Sequence, residues 1–166
     1  MELAVIDVTD SDLDQVTAIP DTVLRHHRTI DYWSLPFRIV VRNFYQNSRL
    51  KMLSEAEDGA RPIANQGPGA MIAVQPAPRA TGVDESDVTS AAIEILPKDG
   101  GSLGTWLVSD ALGAPQTFSC GGRTWMIALR PARYYKPYSV TLQKFPHEKY
   151  AGTDIPKDFS SPIPIA

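Results

Sequence analysis

The most conspicuous reactive side chains of this 166-residue chain are a single cysteine, three histidines and two short acidic clusters. Adjacent His26 and His27 would chelate one ion poorly, because neighbouring residues diverge on a helix and point to opposite faces of a strand. A nucleophilic Cys120 would need a base and an orienting group, so an enzyme interpretation requires His147 or His26 to fold close to it. We predict solvated histidines, no metal site, and a Cys120 that is either a semi-exposed thiol or a small buried side chain.

The acidic clusters lie at residues 10–14 and 84–87. The first resembles the start of an oxygen-ligand loop, but it lacks the following glycine and the distal glutamate of an EF-hand. No GxSxG, HExxH, Walker or dinucleotide-binding motif occurs in the sequence. A single cysteine also excludes an internal disulfide and a multi-thiolate zinc site. The clusters are therefore predicted to be solvated turns, and the chain is predicted not to be an enzyme.

Composition narrows the class of protein. The net charge is −3 at pH 7 and the basic residues are scattered, so the electrostatic signature of a nucleic-acid-binding protein is missing. Hydrophobic residues make up 43% of the chain, and no apolar run approaches the roughly 20 residues that span a bilayer. The first residues lack the features of a signal peptide. We expect one soluble domain over residues 1–166.

The secondary structure that carries these side chains is predicted to consist mainly of strands. Fourteen prolines and eleven glycines interrupt any long helix, which favours an all-β domain, either an antiparallel sandwich or a partly open barrel with one or two short helices. Gly121 and Gly122, between two β-rich runs, predict a tight hairpin. Short helices are predicted after Pro20 and, with Ser48 as cap, over residues 48–57, while residues 59–69 and 76–87 are predicted to be exposed loops. The predicted strands are 3–8, 15–18, 37–44, 71–75, 91–96, 105–109, 117–120, 124–129 and 138–145.

One strand pattern occurs twice. PFRIVVRNF at residues 36–44 is echoed by PYSVTLQKF at residues 137–145, and both consist of proline, an aromatic residue, alternating apolar residues and a final phenylalanine. Proline fixes φ, and apolar residues with period two place their side chains on one face of a strand. The two copies are predicted to line one core.

Aromatic residues are enriched in the second half of the chain. We interpret Trp106, Trp125, Tyr134 and Tyr135 as core and edge fillers, with a flat apolar ligand or an extended peptide as the alternative. Residues 130–136 are both basic and aromatic, which suits either a solvated connection or contact with an acidic, propionate-bearing partner.

The C-terminal quarter resembles a known family. The segment PYSVTLQKF, followed by YAGT at residues 150–153 and by the Pro156-x-x-Phe159-x-Ser161 stretch, is similar to the ResB-like (Ccs1) family of cytochrome c biogenesis proteins. The upstream segment Leu35-Pro36-Phe37 matches the first large extracytoplasmic strand of that family. The similarity covers about residues 35–50 and 135–161, and the middle of the chain diverges.

The resemblance implies a β-rich domain on the extracytoplasmic (periplasmic) face of the bacterial inner membrane, anchored by transmembrane segments that this sequence lacks. Its implied partners are a membrane haem-handling protein of the ResC/CcsA type and apocytochrome c. The implied function is a non-catalytic scaffold in system II cytochrome c maturation that assists haem delivery and apocytochrome handling. The family's haem-ligating histidines map onto none of the three here, so haem is expected only through the full-length complex.

Contact residues for the partner or for haem are expected in and around the matched motifs. Gly152 and Pro156 should fix a specific turn there. A stand-alone β-sandwich that binds a carbohydrate or a protein partner through exposed aromatics is the alternative function. The candidate contact residues are Tyr135, Pro137, Tyr138, Phe145, His147, Tyr150, Gly152, Thr153, Pro156 and Phe159.

Overall fold

The computed structural model describes residues 1–82, 85–134, 136–138, 141, 147–150 and 156–159. The chain divides into two compact units, Met1–Ala132 and Arg133–Ala166. Among the described residues, no helix is both long and apolar enough to cross a bilayer.

The first unit consists mainly of antiparallel strands, which confirms the predicted all-β class. One short helix, α1 (Asp21–His26), follows Pro20 as predicted and buries Leu24. Short 3-10 helices occur at Leu53–Glu55, Gly67–Met71 and Asp110–Leu112. The strands are β1 (Glu2–Asp7), β2 (Gln15–Pro20), β3 (Thr29–Ile30), β4 (Phe37–Tyr45), β5 (Ser48–Met52), β6 (Ile72–Pro76), β7 (Ser90–Pro97), β8 (Gly104–Ser109), β9 (Gln116–Cys120) and β10 (Arg123–Arg130).

Two four-stranded sheets form the sandwich. The first sheet has the order β2-β1-β10-β9 and the second has the order β3-β4-β7-β8, and every pairing within them is antiparallel. Strands β5 and β6 form a separate hairpin. Both ends of the first sheet are edge strands, β2 on one side and β9 on the other.

The main core lies between the two sheets. Leu3 and Ile127 of the first sheet and Ile39 and Ile93 of the second belong to one buried cluster, and each is fully buried. Phe37 packs edge-to-face against Phe118 and Trp125, with ring centroids 5.2 and 5.1 Å apart. Such aromatic pairs contribute about 0.5–1.5 kcal/mol beyond the area that they bury. The aromatic cluster therefore joins β4 of one sheet to the β9–β10 hairpin of the other.

Strand β4 confirms the predicted alternation and shows where it ends. Phe37, Ile39 and Val41 are buried, as the period-two pattern requires. The register with β7 then shifts by one residue between Val41 and Asn43, and Phe44 is only partly buried. This β-bulge corresponds to the two intervening residues between Val41 and Phe44, which break the alternation in the sequence.

The second copy of the pattern is described only in part. Pro137 and Tyr138 lie in a bend rather than a strand, and of residues 139–145 only Thr141 is described. The described elements of the second unit are the antiparallel strands β11 (His147–Lys149) and β12 (Pro156–Phe159). The pairing of the two copies in one core remains a prediction.

The predicted helix over residues 48–57 is wrong. Residues Ser48–Met52 form β5, paired with β6, and only Leu53–Glu55 makes a 3-10 turn. Ser48 is not a helix cap, because its buried hydroxyl donates to Val88 O at 3.0 Å. Leu50 packs in a small cluster with the buried side chains of Ala64, Ile72 and Leu107, so tertiary packing overrides the helix propensity of this segment.

The prediction of an exposed loop over residues 59–69 is only partly correct. Its second part lies against β8, where Ala64 and Gly69 are buried and Gln66 forms a parallel bridge with Trp106. The segment 76–87 is irregular after β6 ends at Pro76, in agreement with the prediction for its described residues.

Candidate functional site

A groove of about 530 Å³ lies beside edge strand β9. One wall is the chain from 115 to 119, and the opposite wall is formed by residues 66–68. Leu103, Trp106 and Phe118 also line it, with the Trp106 and Phe118 rings 5.3 Å apart. No charged side chain lines this space in the part of the chain that the structure describes. We call it the β9 groove.

The β9–β10 hairpin positions one wall of this groove. Gly121 and Gly122 have φ of 62° and 72°, and Cys120 pairs directly with Arg123, so the two glycines alone form the turn. Positive φ at both central residues is the signature of a type I′ hairpin, whose twist matches that of the strands. The hairpin predicted from the sequence is confirmed.

The phase of the hydrogen-bond ladder determines which backbone groups of β9 face outward. Val8 donates its N–H to Thr124 O at 3.0 Å, so the backbone N–H and C=O of Thr124 point toward β1. Backbone groups of successive strand residues point to opposite sides, so the N–H and C=O of Trp125 point toward β9. Trp125 pairs with Phe118. Thr117 and Ser119, on either side of Phe118, therefore direct their N–H and C=O groups away from the sheet. Within the described residues these groups have no backbone partner.

Strand β8, the neighbouring edge in the second sheet, is covered instead. Thr105 O accepts the backbone N–H groups of Asn65 and Gln66, both at 3.0 Å, and Thr105 N–H donates to Asn65 Oδ1 at 2.8 Å. Further along the strand, Gln116 Nε2 donates to Leu107 O at 2.6 Å. The β9 side of the groove thus has outward backbone groups without a backbone partner. On the β8 side, the backbone groups of Thr105 and the C=O of Leu107 are already hydrogen-bonded.

Gln116 joins the two walls of the groove. Its side chain is buried, and its Oε1 has no hydrogen-bond partner among the described residues. The oxygen lies against Gly67, where an added Cβ would come within 2.4 Å of it. Gly67 also has φ of 56°, so this position favours glycine both for its backbone conformation and for the space that it leaves.

A charged cluster fixes the turn end of the hairpin to β1. The Asp7 carboxylate is buried and accepts hydrogen bonds from the Thr9 hydroxyl, the Thr9 N–H at 3.0 Å and Arg123 Nη1 at 2.9 Å. The hydrogen bond from the Thr9 hydroxyl, with further contributions from the Thr9 backbone and the Arg123 guanidinium, lowers the pKa of Asp7 below its ordinary value. We assign this cluster a structural role, because its charges satisfy one another.

The acidic segment 10–14 forms an exposed turn, as predicted. Asp10 Oδ1 accepts the backbone N–H of Asp12 at 2.9 Å, which is an Asx-type turn. The described residues contain no group of three or more side chains that could hold a metal ion.

Cys120 is a small buried side chain, the second of the two states considered for it. It is 7% exposed, and burial, with a further contribution from the negative charge of Asp99, raises the pKa of its thiol. Its backbone C=O accepts the indole N–H of Trp125 at 3.1 Å. A raised pKa is the opposite of what activates a cysteine nucleophile.

The aromatic residues divide between the core and the surface. Trp106 and Trp125 are buried, as expected of core fillers, whereas Tyr134 is 85% exposed. Trp33, which the sequence analysis missed, is 95% exposed. The turn that carries it is fixed by a hydrogen bond from Leu35 N–H to Tyr32 O at 3.1 Å. The sequence around it, Asp-Tyr-Trp-Ser, has the polar residues typical of a turn and is its only signal.

The predicted contact residues of the second unit are partly described. Pro137 and Tyr138 lie in an exposed bend, and Tyr150 is 53% exposed. The structure places His147 in β11 and both Pro156 and Phe159 in β12, where His147 pairs with Phe159. The residues that lie outside the described part of the chain are Tyr135, Phe145, Gly152 and Thr153.

No family model, curated protein or solved structure matches this chain. The site must therefore be interpreted from its own chemistry. The β9 groove is lined by no histidine, cysteine, methionine or tyrosine, so its lining offers haem no axial ligand. His26 and His27 are exposed, His26 as the last residue of α1 and His27 just after it. The β9 groove presents backbone groups, small polar side chains and apolar side chains, an arrangement that can bind an extended backbone.

Proposed function

We propose that this chain is an extracytoplasmic scaffold domain of a ResB-like protein, which assists haem delivery and apocytochrome c handling during cytochrome c maturation. The observation that carries the proposal is the similarity of residues 137–161, the strand segment followed by YAGT and Pro156-x-x-Phe159-x-Ser161, to that family. Its working partner would be a membrane haem-handling protein of the ResC/CcsA type.

The character of the first unit supports a scaffold rather than a catalyst. Cys120 is buried and its thiol pKa is raised, so it is a poor nucleophile at neutral pH. The β9 groove offers outward backbone groups and small polar side chains beside the buried Trp106 and Phe118 rings, and none of its described lining residues is charged. Thioether formation needs an apoprotein held in an extended conformation beside haem, and a free strand edge provides such a hold.

The test uses the native full-length protein in a host that lacks its own cytochrome c maturation machinery. Coexpression with the ResC/CcsA-type partner and a c-type apocytochrome should yield covalently bound haem, measured by haem staining of denatured gels. The matched control is the same full-length protein with residues 133–166 replaced by a flexible Gly/Ser linker of equal length. Equal haem attachment with and without the ResB-like protein would refute the proposal.

Haem titration into the isolated chain tests the scaffold role separately. Because the family's haem-ligating histidines map onto none of the three histidines of this chain, we expect no shift of the Soret band. A stoichiometric Soret shift would make the chain a haem carrier instead.

Trp33 favours a second candidate function, a β-sandwich module that binds a carbohydrate or protein partner. A tryptophan that is 95% exposed on a fixed turn has the character of an interface anchor. Asp31, two residues before Trp33, pairs with Arg38 at 3.3 Å and with Lys98 at 3.0 Å. If Trp33→Ala abolishes a carbohydrate or protein interaction while haem attachment in the full system is unchanged, the binding-module function is favoured.

A further inference from the structure

We propose that the β9 groove binds an extended, uncharged polypeptide segment by adding it as a strand to β9. The identity of the natural segment as part of apocytochrome c rests on the proposed function, whereas strand addition itself does not. The occupant is inferred from three features: the phase of the β9 ladder, the composition of the groove and the contrast with the other open edge.

The ladder phase supplies the hydrogen-bonding groups. Thr117 and Ser119 each present an N–H and a C=O outward, two residues apart along the strand. This spacing of about 6.8 Å is the repeat of an extended chain, since a strand rises about 3.4 Å per residue. Both side chains are exposed and small, so neither blocks the approach of a second backbone. An antiparallel peptide would exchange hydrogen bonds with both residues.

The composition of the groove sets the chemistry of the peptide side chains. Every second residue of an added strand points into the groove, toward half-buried Leu103 and exposed Pro68, with the buried Trp106 and Phe118 rings among the lining. No charge is available among the described lining residues to pair with a charged side chain. Burying an unpaired charge is costly, so the inward residues of the peptide must be apolar or small.

The other open edge of the same sheet lacks these features. Asp21 donates its N–H to Met1 O at 3.1 Å, which fixes the phase of the β1–β2 ladder and turns the backbone groups of Val16 and Ala18 outward. The groove described next to β2 contains Gln15 and the charged Asp7, Asp10 and Arg123, and it includes neither Val16 nor Ala18. The strand ends at Pro20, which has no N–H to donate. Strand β2 is therefore the internal control for β9.

A second copy of the chain is the competing occupant of the β9 edge, because two edges of this kind can pair about a two-fold axis. Charge does not oppose such pairing locally, since Thr117 and Ser119 are neutral. The free peptide is favoured because it can place its inward side chains in the open groove beside β9. A β9 strand from another copy cannot do so with Phe118, since that side chain is already buried in its own core. The test below distinguishes the two occupants.

The probe is a nine-residue acetylated and amidated peptide of alternating valine and threonine, N-methylated at every second residue. The N-methyl groups remove every N–H from one edge of the extended peptide and leave the N–H groups of the other edge. The peptide can therefore pair with β9 through one edge but cannot aggregate into larger sheets. The control peptide carries N-methyl groups on consecutive residues, which blocks both edges. The chain of residues 1–166 is uniformly labelled with ¹⁵N, and amide shifts and hydrogen exchange are measured with each peptide.

We expect the first peptide to shift the amide signals of Thr117 and Ser119 and to slow their exchange at least tenfold, while the control peptide leaves both unchanged. Thr117→Pro removes one outward N–H and should weaken binding at least tenfold. Ala18→Pro removes the equivalent N–H of β2 and should leave binding unchanged. Because proline can also disturb an edge strand, Leu103→Glu serves as a second variant, and it should weaken binding by placing a charge in the groove.

Three results would overturn the proposal. The first is equal binding of the two peptides, and the second is protection of Val16 and Ala18 in place of Thr117 and Ser119. The third is protection of Thr117 that appears with rising protein concentration and no peptide, which would assign the edge to a second copy. Because the probe peptide contains neither cysteine nor haem, it can bind β9 even if apocytochrome c does not bind the chain. That combination would refute the proposed function and leave strand addition intact.

Discussion

Substituting Gly69 with alanine should lift the segment that covers β8 and open one wall of the β9 groove. Gly69 is buried within the 3-10 helix Gly67–Met71. An added Cβ would lie 2.6 Å from Leu107 Cβ, 2.9 Å from Ala64 Cβ and 3.1 Å from the Leu107 nitrogen. Carbon atoms pack at about 3.5–4.0 Å, so the helix must move by about 1 Å. Leu107 cannot yield, because it is fully buried in the middle of β8.

The magnitude follows from the contacts that this movement disturbs. Overpacking of a filled interior costs about 1–3 kcal/mol. The displaced segment also strains the hydrogen bonds from Asn65 and Gln66 to Thr105 O, each worth about 0.5–1.5 kcal/mol. We therefore expect Gly69→Ala to lower the free energy of unfolding by about 2–4 kcal/mol. Exchange of the Asn65 and Gln66 amides should accelerate in the same variant.

Gly101→Ala is the matched control. Gly101 has no atom within 4 Å of the added Cβ and no positive φ, so the same chemical change meets open space. Its effect on stability should stay within about 0.5 kcal/mol. Urea unfolding, followed by the fluorescence of the buried tryptophans, measures both variants. Equal midpoints for Gly69→Ala and Gly101→Ala would refute the steric reasoning and the close docking of residues 64–69 on β8.

Three further predictions concern the β9–β10 hairpin and the cluster that fixes it. Because the pKa of Asp7 is lowered in the folded chain, its contribution to stability is present above the unfolded pKa of about 3.9 and is lost as the pH falls through the folded pKa. Asp7→Asn should therefore lower the free energy of unfolding by about 1–3 kcal/mol at pH 7. Urea unfolding across pH should also show that the variant loses less stability below pH 5 than the original chain does. An unchanged dependence of stability on pH would contradict this. The Cys120 thiol, with its raised pKa, should react with Ellman's reagent far more slowly in the native chain than in concentrated guanidinium, and equal rates would show that it is exposed. Gly122→Ala should lower the free energy of unfolding by about 1–2 kcal/mol, because φ at this position is 72° and an added Cβ meets no atom within 4 Å, so only the backbone conformation is strained. Gly122→Asn should recover part of this loss in the same unfolding measurement. An alanine variant as stable as the original chain would exclude the type I′ turn.

Local patterns made the strands of the first unit predictable. Phe37, Ile39 and Val41 alternate in the sequence and are buried in the structure, because a strand turns successive side chains to opposite faces. The Gly121-Gly122 turn was predictable because positive φ at both positions of a two-residue loop requires such residues.

The sequence failed where packing competes with local preference. Ser48 begins a run of helix formers, yet its hydroxyl lies in a buried chain that also contains the hydroxyls of Ser90 and Ser109. Those residues are far apart in the sequence, so no local pattern indicates that they meet. The same reason explains why Ala64 and Gly69 looked like loop residues, since only β8 gives them something to pack against.

The all-β class, most strand positions and the glycine hairpin follow from the sequence alone, because each depends on residues that are close together along the chain. Which strand edges stay open depends instead on contacts between residues that are far apart in the sequence. One hydrogen bond from Val8 to Thr124 fixes the ladder phase that turns Thr117 and Ser119 outward, while Asn65 and Gln116 close the neighbouring edge of β8. The β9 groove exists because these groups, distant in sequence, meet at the rim of the sandwich.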